Sequence, residues 1–252
     1  MRISRHRDNS KISSLRRVVT FYIDYFICLL QSKKPTESFT LKTVSNDSIL
    51  GSFFEAEGSD KGSNSGQSRH NYHLIYEILF QKSRDSIQNV LEVGIGTTDP
   101  TIPSSMGKVG IPGASLRAFS RYFHNATIYG LDIDPTTMIS EDRINTFVCD
   151  QTSMESLNSI QAKFIQQGIA FDLIIDDGLH TFDAFKKTYQ SLHQLLNKNA
   201  FYIVEDVIGW KTMKYLKEIN ENDFDILIFS GDSVNRRRKI IDNNLLVLRR
   251  KS

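Results

Sequence analysis

Four short apolar runs, each carrying a carboxylate near its end, constrain this chain most: VLEVG at 90–94, IYGLD at 128–132, FDLIIDD at 171–177 and YIVED at 202–206. Runs this short and this apolar suit strands buried on both faces, as in a parallel sheet covered by helices. Strands are expected at 89–93, 127–131, 145–149, 171–175, 200–204, 225–229 and 245–248. Helical spacing of apolar residues predicts helices at 49–57, 70–81, 114–123, 154–167, 182–196 and 210–219. Strand and helix alternate, which predicts an α/β fold with a doubly wound, seven-stranded sheet. The last two strands are joined by the polar stretch GDSVNRRRK, where no helix fits, so an antiparallel hairpin is expected at the C-terminal edge.

The chain has 252 residues, 40% hydrophobic and 24% charged, enough to bury a sizeable core in one domain with appendages. Cys28 and Cys149 are its only cysteines, which excludes a disulfide scaffold and a cysteine zinc cluster and points to a reducing, cytoplasmic setting. A net charge of +2 hides basic ends, +5 over 1–17 and +6 over 236–251, around a middle of −9. Nucleic-acid enzymes line their working face with basic groups, so a nucleic-acid partner is not expected. Residues 13–31 place Val18, Tyr22, Tyr25, Phe26 and Leu29 on one helical stripe, interrupted by Asp24 and too short to span a bilayer. This helix is expected to cap the body or to meet a second subunit in a homo-oligomer. A peripheral contact with the inner membrane face is the alternative, because basic flanks and aromatics also suit an interface. The expected division is an N-terminal helical extension and linker at 1–57 and a functional domain at 58–252.

Ligands of open α/β sheets gather at the carboxyl ends of the strands. Glu92, Gly94 and Gly96 follow the first strand, Asp132 the second, Asp150 and Gln151 the third, Asp176, Asp177 and His180 the fourth, Glu205 and Asp206 the fifth. Clustered like charges repel, so a metal, a positive ligand or a hydroxyl-bearing ligand should compensate them. The first three ends suit a nucleoside: glycines allow close backbone approach, Asp132 can accept both ribose hydroxyls, and Asp150 and Gln151 can bond an adenine edge. Asp177, Glu205 and Asp206 offer three hard oxygen ligands, a set that favours Mg²⁺. His180 lies within reach of a substrate hydroxyl and is a suitable proton acceptor.

The ordered set LEVGIG, GLDID and CDQ resembles the class I S-adenosylmethionine (SAM) methyltransferases, with Thr98 where the third glycine of the motif stands. The resemblance implies a Rossmann-like fold with SAM as cofactor, held by Glu92, Gly94, Gly96, Asp132, Asp150 and Gln151. The helix start at Gly113 and Ser115 could then hold the methionine carboxylate, with a plain capping serine as the alternative. Together with GSDKGS, HNYHLIYE, PGASLRAFSRYF, DDGLH and VED, the set is similar to the metal-dependent macrolide sugar O-methyltransferases of the mycinamicin type over about 58–210. That family implies Asp177, Glu205 and Asp206 as Mg²⁺ ligands and His180 as general base. Asp60, Lys61, Tyr72 and Tyr76 fall in its lid and entry region, so Lys61, Tyr72 and Tyr76 are candidate substrate contacts, while His70 and His73 are expected to be helix-surface or packing residues rather than ligands. The expected activity is O-methylation of a hydroxyl on a sugar or a glycosylated small molecule. A metal-independent methyltransferase, an aminopropyl transferase and a non-catalytic partner protein of the same fold stay open as rivals.

Overall fold

The apolar runs do form a sheet. Its strands are β1 (Asn89–Val93), β2 (Thr127–Asp132), β3 (Ser140–Glu141), β4 (Ile144–Val148), β5 (Phe171–Asp176), β6 (Leu196–Val204), β7 (Phe224–Ser230) and β8 (Asn244–Arg250). Their order is β3-β4-β2-β1-β5-β6-β8-β7. This computed structural model describes residues 48–62, 70, 72–208, 212–230 and 244–252. The helix expected at 13–31 and the Arg-rich connection at 231–239 lie outside the described residues. The eighth strand was not expected. β3 is two exposed polar residues paired antiparallel with β4, and so short a piece carries no apolar period. β7 and β8 pair antiparallel at the edge as expected, with β8 slotted beside β6.

β1 pairs in parallel with both β2 and β5, so the chain winds away from it in two directions. In sheets of this kind a crevice lies where the direction switches, and ligands bind there. Single backbone hydrogen bonds carry the ladder one residue past the strand ends: Gly94 N to Leu131 O (2.8 Å), Asp177 N to Val93 O (2.9 Å) and Glu205 N to Asp176 O (3.0 Å). The strand-end carboxylates therefore stand in one row.

Alternation along the strands splits the core into two layers. Val90, Ile128, Ile175 and Ile203 pack beneath α1 (Ile49–Glu57), α2 (Tyr72–Phe80) and α3 (Ala114–Tyr122). Leu91, Val93, Ile174 and Tyr202 pack beneath α4 (Met154–Gln166), α5 (Phe182–Leu192) and α6 (Thr212–Glu218). α1, grouped with the N-terminal extension in the sequence, contributes Leu50 and Phe54 to the first layer, with Phe54 edge-on to Phe119 at 5.2 Å. Ser48, Ser153 and Thr181 cap α1, α4 and α5 through their side-chain oxygens.

Candidate active site

Glu92 shares the face of Val90, so it points into the layer covered by α1–α3 rather than into the crevice. There Ser115, in the first turn of α3, donates to Glu92 Oε2 at 2.6 Å. Lys61, from the turn after α1, reaches the same place. Its Nζ lies 2.5 Å from both Asp177 Oδ2 and Glu205 Oε2 and 3.4 Å from Glu92 Oε1. Tyr76 OH closes the group by donating to Glu205 Oε1 at 2.6 Å. Lys61 and Glu205 are each only 2% exposed and Glu92 not at all. Burial alone would lower the Lys61 pKa, but Asp177, Glu205 and Glu92 outweigh it and hold the ammonium charged. Burial raises Glu92 to about 7 against the pull of Lys61, and pushes Glu205 upward as well. Glu92 Oε1 is fully buried and has no hydrogen-bond partner among the described residues.

Above this buried group lies a more open one. Asp177, His180 and Asp206 each offer one ligand atom, all within 4.8 Å of one another. Their side chains are 22%, 28% and 18% exposed, so a ligand can reach them. Tyr72 OH donates to Asp206 Oδ1 at 2.5 Å and accepts from Asp206 N, while His70 stands 3.6 Å from the same carboxylate and stacks on Tyr72. Burial, and next the charge of Asp177, raise the Asp206 pKa. His180 Nε2 is 3.9 Å from Asp206 Oδ2. Glu205 is adjacent in sequence to this trio but turns inward, to Lys61 and Tyr76. Alternation at the end of β6 sends Glu205 and Asp206 to different sides.

On the other side of the crevice, Asp132 accepts from Ile95 N and Asp134 N, both at 3.0 Å, one on each oxygen. Each oxygen keeps a lone pair for a further donor. Asp150 bonds Thr152 in a local turn. Gln151 is taken up inside the protein: its amide donates to Asp176 Oδ1 and Thr188 Oγ1, both at 3.1 Å, and accepts from Leu179 N at 2.5 Å. That commits it to placing the 177–180 loop, in place of the adenine contact expected of it. Ser115 is likewise spent on Glu92, and the residue at the helix cap is Gly113. Gly94 and Gly96 have φ of 86° and 89°, the left-handed region that favours glycine. A Cβ on Gly94 would run into the Asp177 carbonyl, and one on Gly96 into Met106, in the segment between β1 and α3.

The structure thus gathers Lys61, Tyr72 and Tyr76 with Asp177, His180, Glu205 and Asp206, and joins Glu92 to them. Asp132 ends β2 and Asp150 follows β4 on the other side of β1, and Gly94 joins the two sides by lying against the Asp177–Gly178 backbone. Sequence reasoning missed four participants: His70, Thr97, Asp134 and Met106. His70 was expected to be a helix-surface or packing residue, and a histidine two residues before a tyrosine carries no distinguishing signal. Thr97 donates to Asp134, and Met106 covers Gly96. The second Asp of GLDIDP was the available hint for Asp134.

No family model matches the chain. Among curated proteins it is similar to the 8-demethyl-8-alpha-L-rhamnosyl tetracenomycin-C 2'-O-methyltransferase of Streptomyces olivaceus, 33% identical over 138 residues, 55% of this chain and 33% of that one. It is also similar to the demethylmacrocin O-methyltransferase of Streptomyces fradiae (31% over 140 residues; 56% and 32%). A third is the mycinamicin VI 2''-O-methyltransferase of Micromonospora griseorubida (30% over 132 residues; 52% and 30%). The chain spans about a third of the length of these relatives. Among solved structures it matches the MycE methyltransferase of the mycinamycin pathway, in complex with Mg, SAH and mycinamycin VI. The TM-score is 0.60 at 21% identity, over 81% of this chain and 54% of that one. The resemblance read from the motifs is borne out, and the fold is that of the Rossmann-like class I methyltransferases.

Proposed function

We propose that this chain is a SAM- and Mg²⁺-dependent O-methyltransferase acting on a hydroxyl of a sugar or glycosylated small molecule. The observation that carries the reading is the placement of Asp177, His180 and Asp206 within 4.8 Å of one another at the carboxyl ends of β5 and β6, in the same sheet whose β2 ends in Asp132. The names of the relatives support a sugar acceptor, and the Mg and SAH of the solved neighbour support the cofactors.

The residues fit both groups. The acid side is a set of hard oxygen donors, with Asp177 and Asp206 offering theirs within 4.8 Å of each other, which suits a divalent cation. Asp177 and Asp206 would hold Mg²⁺, joined by Glu205 once its carboxylate is freed. Bound there, the ion would make a nearby hydroxyl more acidic, and SAM would supply the methyl group. Asp132 would accept from the ribose hydroxyls with its two remaining lone pairs, and Gly94 and Gly96 would let the backbone lie against the cofactor. His180 would take the hydroxyl proton at Nε2. Tyr72 fixes Asp206, and Tyr76 fixes Glu205, so neither carboxylate can turn away. Much of the acceleration would come from holding oxygen and methyl in line. A metal-independent enzyme is the second reading, favoured by Lys61, which already neutralises Asp177 and Glu205.

The test is incubation with SAM and a panel of rhamnosylated or other deoxyhexosylated acceptors, followed by mass spectrometry, with and without EDTA. Gain of one methyl, lost with EDTA and restored by Mg²⁺, is expected. Methylation that EDTA leaves intact selects the second reading, and no methylation of any glycoside refutes the substrate class. For residues 1–32 the proposal is packing on the body or on a second subunit, with peripheral membrane contact as the alternative. Among the described residues no helix is long and apolar enough to cross a membrane.

A further inference from the structure

We propose that Lys61 is an internal cation that occupies the place of the divalent ion between Asp177 and Glu205, and that metal loading transfers it to Glu92. The inference rests on the metal-dependent reading above. Three observations carry it. First, Lys61 Nζ sits 2.5 Å from an oxygen of Asp177 and 2.5 Å from an oxygen of Glu205. An Mg²⁺ ion binds oxygen at about 2.0–2.1 Å, so ammonium and ion cannot share the same two oxygens, and in a site this dry two cations repel strongly. Second, among the described residues the Glu205 carboxylate is otherwise committed to Tyr76 alone and Glu205 is 2% exposed, so freeing its inner oxygen for a metal requires Lys61 to leave. Third, the departing ammonium has a waiting acceptor. Glu92 Oε1 is fully buried, lacks a hydrogen bond among the described residues, and lies 3.4 Å from Nζ.

The side chain can make this short move without unfolding its surroundings. Its backbone is anchored: Lys61 O accepts from His73 N at 3.2 Å, and Lys61 N donates to Ser59 Oγ at 3.4 Å. The four-carbon stem is the flexible part. Lys61 would therefore keep the acids paired while no metal is bound, and would carry the news of metal binding to Glu92, at the cofactor end of β1.

The experiment is titration calorimetry of Mg²⁺ and Mn²⁺ into the full chain and into its Lys61→Met and Lys61→Arg variants, with melting curves at zero and saturating metal. Lys61→Met should bind metal at least about tenfold more tightly, because its competitor is gone. It should also melt lower than the parent without metal, and the gap should narrow once metal is saturating. Lys61→Arg should bind metal more weakly than the parent, since a guanidinium clamps two carboxylates more firmly. If Lys61→Met cannot be held folded without metal, the Mg²⁺ concentration for half-refolding replaces the calorimetric constant. Parent and Lys61→Met binding metal equally would overturn the proposal and leave the metal-dependent reading standing. So would Lys61→Arg matching the parent while Lys61→Met tightens, which marks a charge acting from a distance. Failure of all three proteins to bind either metal would overturn both.

Discussion

His180 and Asp206 both hold left-handed backbone, φ 53° and 54°, although neither is glycine. Such residues cost of order 1–3 kcal/mol each and persist where the surroundings demand them. The two face each other across the outer acid group, so the strain sits where the proposed chemistry needs it. His180→Gly should therefore relieve backbone strain and leave the melting temperature unchanged or higher, while kcat falls by about 10²–10⁴-fold. A lower melting temperature with kcat preserved would make His180 a structural residue. Gln151 gives the opposite case. Gln151→Leu would leave Asp176 and Thr188 without their buried partner, at a cost of about 1–3 kcal/mol. It should lower kcat by loosening the 177–180 loop while SAM affinity, read by calorimetry, changes little. A large loss of SAM affinity would return Gln151 to the cofactor.

The elements around β1 work through their loops. Gly94 lies against the Asp177–Gly178 backbone, so the first glycine loop and the metal-side loop are packed as one piece. Gly94→Ala would pay about 1–2 kcal/mol for left-handed backbone alone, and its methyl would also push Asp177 aside. Both SAM and metal binding should weaken in that variant, measured by calorimetry; loss of only one would show that the loops move independently. The loops after β1 and β2 are tied by Thr97 donating to Asp134, a bond that, with those from Thr136, holds the Asp134 carboxyl below its usual range. A carboxyl with a depressed folded pKa adds stability that is present above its unfolded value of 3.8 and is lost as pH falls through the folded value. Thr97→Val should accordingly lower the melting temperature at neutral pH by about 2–4 °C for each kcal/mol lost. The gap should close as the solution is acidified below the unfolded value; a gap independent of pH would assign the effect to packing.

At the scale of the molecule, both core layers and the eight-stranded sheet, among the described residues, are assembled between Leu50 and Arg250. Removing residues 1–32 should then leave cooperative unfolding and SAM affinity within about twofold of the full chain. Loss of SAM binding in a soluble truncated protein would make the N-terminal segment part of the cofactor site. Sedimentation with anionic vesicles at low and high salt would test its membrane contact, since charge-driven attachment weakens with salt.

Sheet, helices and strand-end acids were legible in the sequence because periodicity and apolar run length are local properties. Six of the seven expected strands begin within one residue of the observed ones; β6 starts earlier, since its first residues, Leu196–Asn199, are mostly polar. Positions such as Asp132, Asp177 and Asp206 follow from the rule that strand ends face the crevice. The direction of each acid at that lip, and its partner, did not follow. Glu92 and Glu205 turn inward because alternation fixes their face, and what waits on that face is decided by a turn about thirty residues upstream of Glu92. Lys61 reads as an ordinary loop lysine until α1 and α2 pack on the sheet and bury it among three carboxylates. Sequence spacing records neighbours along the chain; the charge balance of a buried site depends on neighbours across it, and only the tertiary structure brings those together.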